Sequence, residues 1–533
     1  MVCAPQPYAV DAGVAVLAQG GNAVDAALAA AWVQGVVDPH MCGPGGYMLL
    51  TQYRAEQGAV EFLDGPALAG ALTRPDMWED RYLRPNPLGW GFFLKDHEND
   101  VGYTSICTPG SVKGFQYMQE QWGSLPWADL FPPAIAMAEE GHKILQRTAH
   151  VWLRQPEQPE ELTQLDGIKR NAEASRLYLH PDGTPYRVGQ WFRNPDYGRS
   201  LRHLAQHGAD DFYHGEFGAR MAQDIARHGG YVTPADFQGY ALPPAAGVKG
   251  TFGEYEIASA AAPHGGPTLI AILNIMETFR DEPDLAPDSP RFLYLLGMAM
   301  KAAFADRNPH MADPHCEAVP LDWMTSKARA AHWHDVIARG DPIRVTFAFP
   351  GAPDTSHVTT VDQWGNCVAL THSLGSSSGV ITPGLGFMYN NSMVNFHPLP
   401  GHRNSIAPGK ARTTGMAPTI VTRHGRPVLV LGAPGSTRIL NSVAQVVLNC
   451  LLFDMDVAAA VDAPRIDCQG DVINVQARIP QRVCDEMAQW HPVTRLAYSR
   501  GGLALVHAVA VDPDTGTVTG AADPGADGVA VGV

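Results

Sequence analysis

A hydroxyl side chain at the point where a proline-bounded loop gives way to an alternating run is a natural place for an oxygen nucleophile. Asp354-Thr355-Ser356-His357-Val358 occupies such a junction, after Pro350 and Pro353 and ahead of the strand-like residues 357–361. On local sequence alone, β-propensity accounts for a threonine at a strand start equally well. A second hydroxyl cluster, Gly375-Ser376-Ser377-Ser378-Gly379, matches the G-x-S-x-G pattern of a serine-hydrolase elbow. That motif needs a helix behind it, and Val380-Ile381-Thr382-Pro383-Gly384 is a poor helix start. His310 and His315-Cys316 are conceivable metal ligands, but their spacing fits no strong metal motif and polar loop residues are the simpler reading. Neither a Walker A sequence nor a G-x-G-x-x-G run is present, so nucleotide binding has no support. The cysteines are scattered singly without a C-x-x-C pair, as expected of buried free thiols in a reducing compartment.

Composition narrows the class. With 38 Lys+Arg against 54 Asp+Glu the formal net charge is −16, the wrong sign for a protein that neutralises phosphates, so no nucleic-acid partner is expected. The chain is 45% hydrophobic and 17% charged, which is globular rather than disordered composition. Its 533 residues are enough to bury a core without disulfides. The longest apolar stretch, residues 443–453, is interrupted by Gln445 and Asn449 and is too short to span a bilayer, so no membrane partner is expected. The first residues show no basic segment followed by an apolar one, and the expectation is a soluble, cytoplasmic protein.

The elements that would position this chemistry are legible in outline. Asn22 is an expected N-cap for an Ala-rich, interior helix that ends near Val36-Val37-Asp38-Pro39. Gly43-Pro44-Gly45-Gly46 leads into an expected strand over 47–53, with a second at 60–63. Residues 109–141 read as helical, 155–166 as a solvated excursion, and Thr233-Pro234-Ala235-Asp236 as a helix start. Residues 341–353 read as an extended connector with a short strand at 343–347. Beyond it come hairpins at 357–361/367–374, 419–422/428–431 and 503–511/517–520, with a helix over 438–452. This is an α+β layered pattern, without a repeat at solenoid periods.

Several short motifs recur in order along the chain. They are Asn22-Ala23-Val24-Asp25-Ala26, Asp38-Pro39-His40 with Gly43-Pro44-Gly45-Gly46, Thr108-Pro109-Gly110-Ser111, and Leu125-Pro126-Trp127. They continue with Ala303-Phe304-Ala305-Asp306-Arg307, Met416-Ala417-Pro418-Thr419, Gly432-Ala433-Pro434-Gly435 and Ala463-Pro464-Arg465. With these motifs the chain resembles, nearly end to end, the gamma-glutamyltransferase family of N-terminal-nucleophile (Ntn) hydrolases. The resemblance implies a four-layer αββα sandwich and self-cleavage between Asp354 and Thr355. The products would be a large region 1–354 and a small region 355–533 that remain associated as a heterodimer. Thr355 would then be both nucleophile and, through its freed α-amine, general base, because an α-amino group titrates near pH ~8 and can take the hydroxyl proton at neutral pH.

The same resemblance implies a hydroxyl partner for the nucleophile at Ser373 and an oxyanion site at the backbone N–H groups of Gly435 and Ser436. No metal or organic cofactor is implied. The positions that read the substrate in the family fall at Gly375, Ser392, Asn395, Thr414 and Gly415. Here they depart from the glutamyl-binding pattern. Residues 63–67 lack the arginine that pairs with a glutamyl α-carboxylate, and Asn395 stands where an Asp would meet the ammonium. Arg403, Arg412 and Arg438 are the nearest cations that could receive a substrate carboxylate instead. The expected chemistry is hydrolysis of a small amide through a threonyl acyl-enzyme, with transfer to an amine acceptor as a further outcome. The acyl group is expected to be γ-glutamyl or a related acyl, and a non-glutamyl amidase or acylase, such as an oxamate-hydrolysing enzyme, is a first alternative. A catalytically silent binding protein of the same fold is the second alternative.

Overall fold

Alternation along two strands builds the centre of the molecule. The computed structural model describes residues 1–86, 91–156, 158–244, 246–283, 285–346 and 355–533, so Asp354 lies outside the described residues. Strand Ser356–Val361 pairs antiparallel with Cys367–Ser373, and both are buried along their whole length. Val358, Val368 and Leu370 point to one face, where they meet the helix Ala23–Val37. On the same face, the Thr360 hydroxyl donates to the Ala23 carbonyl. Cys367 and Ala369 point the other way and pack with Ile420, Val430 and Val509 of a second sheet. A strand covered on both faces must carry apolar or internally bonded side chains on both, as these two do.

Two six-stranded sheets result. The first runs Val529–Val531, Val2–Ala4, Ser356–Val361, Cys367–Ser373, Tyr47–Arg54, Ala59–Gly65, each pair antiparallel. The second runs Val518–Ala522, His507–Val511, Arg426–Gly432, Thr419–Arg423, Tyr255–Ala260, Gly247–Phe252, again antiparallel. Helices Gly266–Glu277, Pro290–His310 and Arg438–Leu452 cover the outside of the second sheet in one large core. Pro7–Ala18 and Ala23–Val37 cover the outside of the first. The order of layers is helix, sheet, sheet, helix, as the resemblance implied.

Local sequence accounts for much of this. Asn22 caps its helix by accepting from Val24 N (2.9 Å) and Asp25 N (3.0 Å), while the Asp25 carboxylate accepts from Asn22 N at 2.9 Å. This closes a reciprocal box that satisfies the first free N–H groups. Every residue of that helix is buried, and its alanines allow the close approach.

Several sequence expectations differ from the structure. Residues 109–141 form two helices, Ser111–Trp122 and Pro132–Glu139, separated by Gly123, Pro126 and a short 3₁₀ turn. The described part of the connector, 341–346, holds no strand, although Ile343 is buried; residues 347–353 lie outside the described residues. Residues 155–166 are not wholly solvated. Glu161 is buried in an ion pair with Arg154, and the Thr163 side chain caps the helix Gln164–Arg170. Charge-rich composition marked the stretch as surface, but paired charges can go inside. The last hairpin is shorter at its start than expected, with strands at His507–Val511 and Val518–Ala522. Among the cysteines, Cys316 is exposed and Cys450 half-buried, and the others are buried.

Candidate active site

Strand register brings the two hydroxyls together. Ser356 is opposite His372 and His357 opposite Thr371, so one step further Thr355 faces Ser373, and Ser373 in turn faces Tyr47 on the next strand. Thr355, Ser373 and Tyr47 therefore form one rung at the end of the sheet. The hydroxyls of Thr355 and Ser373 are 3.2 Å apart, and both residues are buried. Ser373 Oγ also accepts from Gly375 N at 2.9 Å, which fixes its rotamer. Gly46 makes the close pairing possible: a β-carbon there would fall 2.3 Å from the Ser373 carbonyl oxygen.

A buried polar network holds Thr355 from behind. Arg147 donates to the Thr355 carbonyl oxygen at 3.2 Å and lies 3.7 Å from the Asp38 carboxylate. Asp38, fully buried, also accepts from Gln6 Nε2 (2.8 Å) and from the Thr148 hydroxyl (3.3 Å). The same Gln6 amide reaches Ser356 Oγ at 3.2 Å. A charge held by a charge and several hydrogen bonds is a rigid support, because loss of any partner would strand a buried ion. Sequence pointed to Asp38-Pro39 only as a motif. Arg147, which lies far away in the chain, left no sequence signal.

A small recess of about 30 Å³ opens over Thr355, lined by Tyr47, Gly375, Asn395, Arg412, Thr414, Gly415 and Ser436 among others. It adjoins a cavity of about 450 Å³ that shares Asn395, Thr414, Gly415 and Ser436 and extends to Phe92, His397 and Arg403. Most of the substrate positions singled out in the sequence thus converge on Thr355. Ser392 does not: its side chain is buried at the start of the 3₁₀ turn Ser392–Asn395, outside the lining of either space. Gly435 lies against Ala504, and it is Ser436 that reaches the recess. Ser436 adopts φ of 54°, a conformation that favours glycine, and Gly435 has φ of 141°. Among the described residues no acceptor takes the N–H of either, and the helix Arg438–Leu452 begins just behind them. Two free donors at a helix start suit a developing oxyanion.

The three cations separate clearly. Arg438 donates to the Gly502 carbonyl and lines a different cavity, and the exposed Arg403 donates to the Ala318 carbonyl at the far side of the larger one. Arg412 lines the recess itself, buried, with its guanidinium 4.5 Å from the centre of the Tyr47 ring. It has no hydrogen-bond or ion-pair partner among the described residues, and burial pushes its pKa down to about 9.

The Ser-rich loop is not a nucleophile elbow. Gly375, Ser377 and Gly379 have φ of 74°, 55° and 72°, and no helix follows. Ser377 Oγ donates to Gln164 Oε1 at 3.1 Å, tying the loop to the excursion that had been expected to be solvated. Among the described residues no three His, Cys, Asp or Glu side chains gather as a metal site.

Comparison with known proteins agrees with this architecture. The family described as Gamma-glutamyltranspeptidase matches residues 9–533. The chain is 34% identical to the Acylase ACY 1 proenzyme of Pseudomonas sp. (strain V22), over 100% of this chain and 93% of that protein. It is 28% identical to the Glutathione hydrolase proenzyme of Escherichia coli (strain K12), over 98% and 90%. Among solved structures, the cephalosporin acylase from Bacillus halodurans superposes with a TM-score of 0.86 over 99% of this chain and 94% of that one, at 24% identity. Layer order, the Thr355–Ser373 rung and a match along almost the whole length place this chain in the gamma-glutamyltranspeptidase family of Ntn hydrolases.

Proposed function

We propose that the protein is a self-processing amidohydrolase in which Thr355 forms the acyl-enzyme, and that its acyl substrate carries a carboxylate received by Arg412. The observation that carries the reading is the rung: a buried threonine at a strand start, its hydroxyl 3.2 Å from Ser373 Oγ, at the floor of a recess. Cleavage between Asp354 and Thr355 frees the α-amine that takes the hydroxyl proton. The oxygen then attacks the amide carbonyl, and the Gly435 and Ser436 N–H groups face the resulting oxyanion. Collapse expels the amine, and water (or a second amine) attacks the ester in the reverse sense. Arg147 holds the Thr355 carbonyl while this happens, so the main chain at the nucleophile does not drift.

The acyl side is supported by Arg412. A buried guanidinium without a partner is costly unless a bound anion completes it. The arginine absent from residues 63–67 thus has a counterpart on a different segment, so the carboxylate is expected from another direction than in glutathione hydrolases.

Intact mass spectrometry of the purified parent and a Thr355→Ala variant tests the function. The parent is expected as two fragments broken at Asp354/Thr355, with an acyl adduct on the smaller fragment after brief exposure to an activated acyl amide. The variant is expected as one uncut chain without adduct. An uncut, inactive parent would leave a binding protein of this fold instead.

A further inference from the structure

Thr414 borders both the recess over the nucleophile and the larger cavity, and its hydroxyl is not free to choose its role. Thr414 Oγ1 is 2.8 Å from His264 Nδ1, and His264 Nε2 is 2.8 Å from Asp64 Oδ2. Met416 N donates to the same Thr414 oxygen at 3.2 Å. Arg307 clamps the pair by donating to the main-chain carbonyls of both His264 (3.2 Å) and Thr414 (2.7 Å). Both residues are buried, so the chain Asp64–His264–Thr414 has one geometry.

Counting donors and acceptors settles the polarity. Asp64 is an acceptor, so the His264 proton sits on Nε2 and a neutral ring leaves Nδ1 bare. The Thr414 proton must then point at Nδ1. One Thr414 lone pair already accepts from Met416 N, and the other is all the hydroxyl can offer the recess. We propose that His264, oriented by Asp64, is a positioning residue for specificity: through its Nδ1 it takes the Thr414 proton and holds Thr414 as a hydrogen-bond acceptor toward the acyl group.

Combined with Arg412, this defines a two-point acyl class: a carboxylate with an N–H or O–H donor beside it. The inference rests on the amidohydrolase reading above. The charged or titratable groups around the ring are Asp64 on the strand Ala59–Gly65 and Arg307 on the helix Pro290–His310. Asp313 and His315 line the cavity behind the ring, and Arg412 lies across the recess.

Two p-nitroanilides test it: γ-L-glutamyl, with carboxylate and ammonium, and glutaryl, with the carboxylate alone. The readout is the ratio of their kcat/KM values, in which titration of the nucleophile's amine cancels. In the parent the glutamyl anilide is expected to be preferred. Thr414→Val and His264→Phe should each lower the ratio, measured at one neutral pH, by about tenfold, the effect of one hydrogen bond to a charged group. Their combination should go no further, since both act through one hydroxyl. Thr414→Ser, which keeps the hydroxyl, should retain the parent ratio.

Ring ¹⁵N resonances of ¹⁵N-histidine protein, assigned by the His264 variant, should show the Nε2–H form; Asp64→Asn should weaken it. A ratio indifferent to both substitutions, or a ring carrying its proton on Nδ1 rather than Nε2, would overturn the inference. Failure of the amidohydrolase reading looks different: neither anilide turns over and no Thr355 adduct forms, while the ring-nitrogen measurement still decides the hydrogen-bond polarity.

Discussion

Arg412 is the residue on which the substrate side turns. Its neighbours in the recess are a ring face, glycines and hydroxyls, none of which can neutralise it. Arg412→Gln should therefore raise KM for a carboxylate-bearing acyl amide by roughly 10- to 100-fold, the range of a hydrogen bond to a charged group, with a smaller change in kcat. Steady-state kinetics against a neutral acyl amide of the same length provide the check. An equal loss on both substrates would mean that the arginine supports the fold rather than the anion. Gly375 faces Arg412 with φ of 74°, and a β-carbon there would fall 2.3 Å from Asn391 Oδ1. Gly375→Ala is accordingly expected to disturb the loop that carries the Ser373 contact, lowering kcat more than it changes KM.

At the scale of elements, the helix Ala23–Val37 is the support on which the strand Ser356–Val361 rests. Its capping box is also a junction, because Asp25 accepts from Ser124 N (3.1 Å) and Asn22 Nδ2 donates to the Trp122 carbonyl (2.7 Å). Asn22→Ala is expected to cost about 1 kcal/mol of stability, as N-cap losses generally do. A shift of the urea midpoint without a change in m-value would verify it. This element was legible from its Asn, its alanines and the Asp38-Pro39 stop. Over 109–141 the helical pattern was legible without its exact bounds, and the structure divides it into Ser111–Trp122 and Pro132–Glu139 around Gly123 and Pro126, residues that disfavour helix continuation. The excursion at 155–166 misled because composition does not say which charges find partners.

At the scale of the whole molecule, both sheets mix strands from either side of the expected cut. In the first, Ser356–Val361 lies between Val2–Ala4 and Cys367–Ser373; in the second, Thr419–Arg423 pairs with Tyr255–Ala260. After cleavage the two fragments should co-elute on size exclusion at neutral pH and part only in denaturant. Acid stability follows from the buried histidines. Burial lowers the pKa of His40, His357 and His372 from 6.5 to about 3 each. Between those values the unfolded chain binds protons that the native state refuses, so stability is lost as pH falls from about 6.5 toward 3. Each group contributes about 1.4 kcal/mol per pH unit across that window. His40, packed edge-on against Trp152 and Tyr178 with neither ring nitrogen bonded, isolates the effect. His40→Phe should reduce the slope of stability against pH by about one such increment, measured by urea unfolding at several pH values.

The sequence alone determined the periodicities, the cap and the hairpins of an α+β pattern, while the four-layer fold and the family followed from the resemblance carried by its ordered motifs. Those signals are local or short-range, set by propensity, turn chemistry and alternation. It also marked Thr355, Ser373, Thr414 and Arg412 as residues of interest. It could not say which of three arginines lines the recess over Thr355, that Ser392 turns away, that Arg147 holds the Thr355 carbonyl, or that His264 bonds both Asp64 and Thr414. Each of those contacts joins residues far apart in the chain, and what brings them together is strand register and the stacking of two sheets, which only the tertiary structure decides.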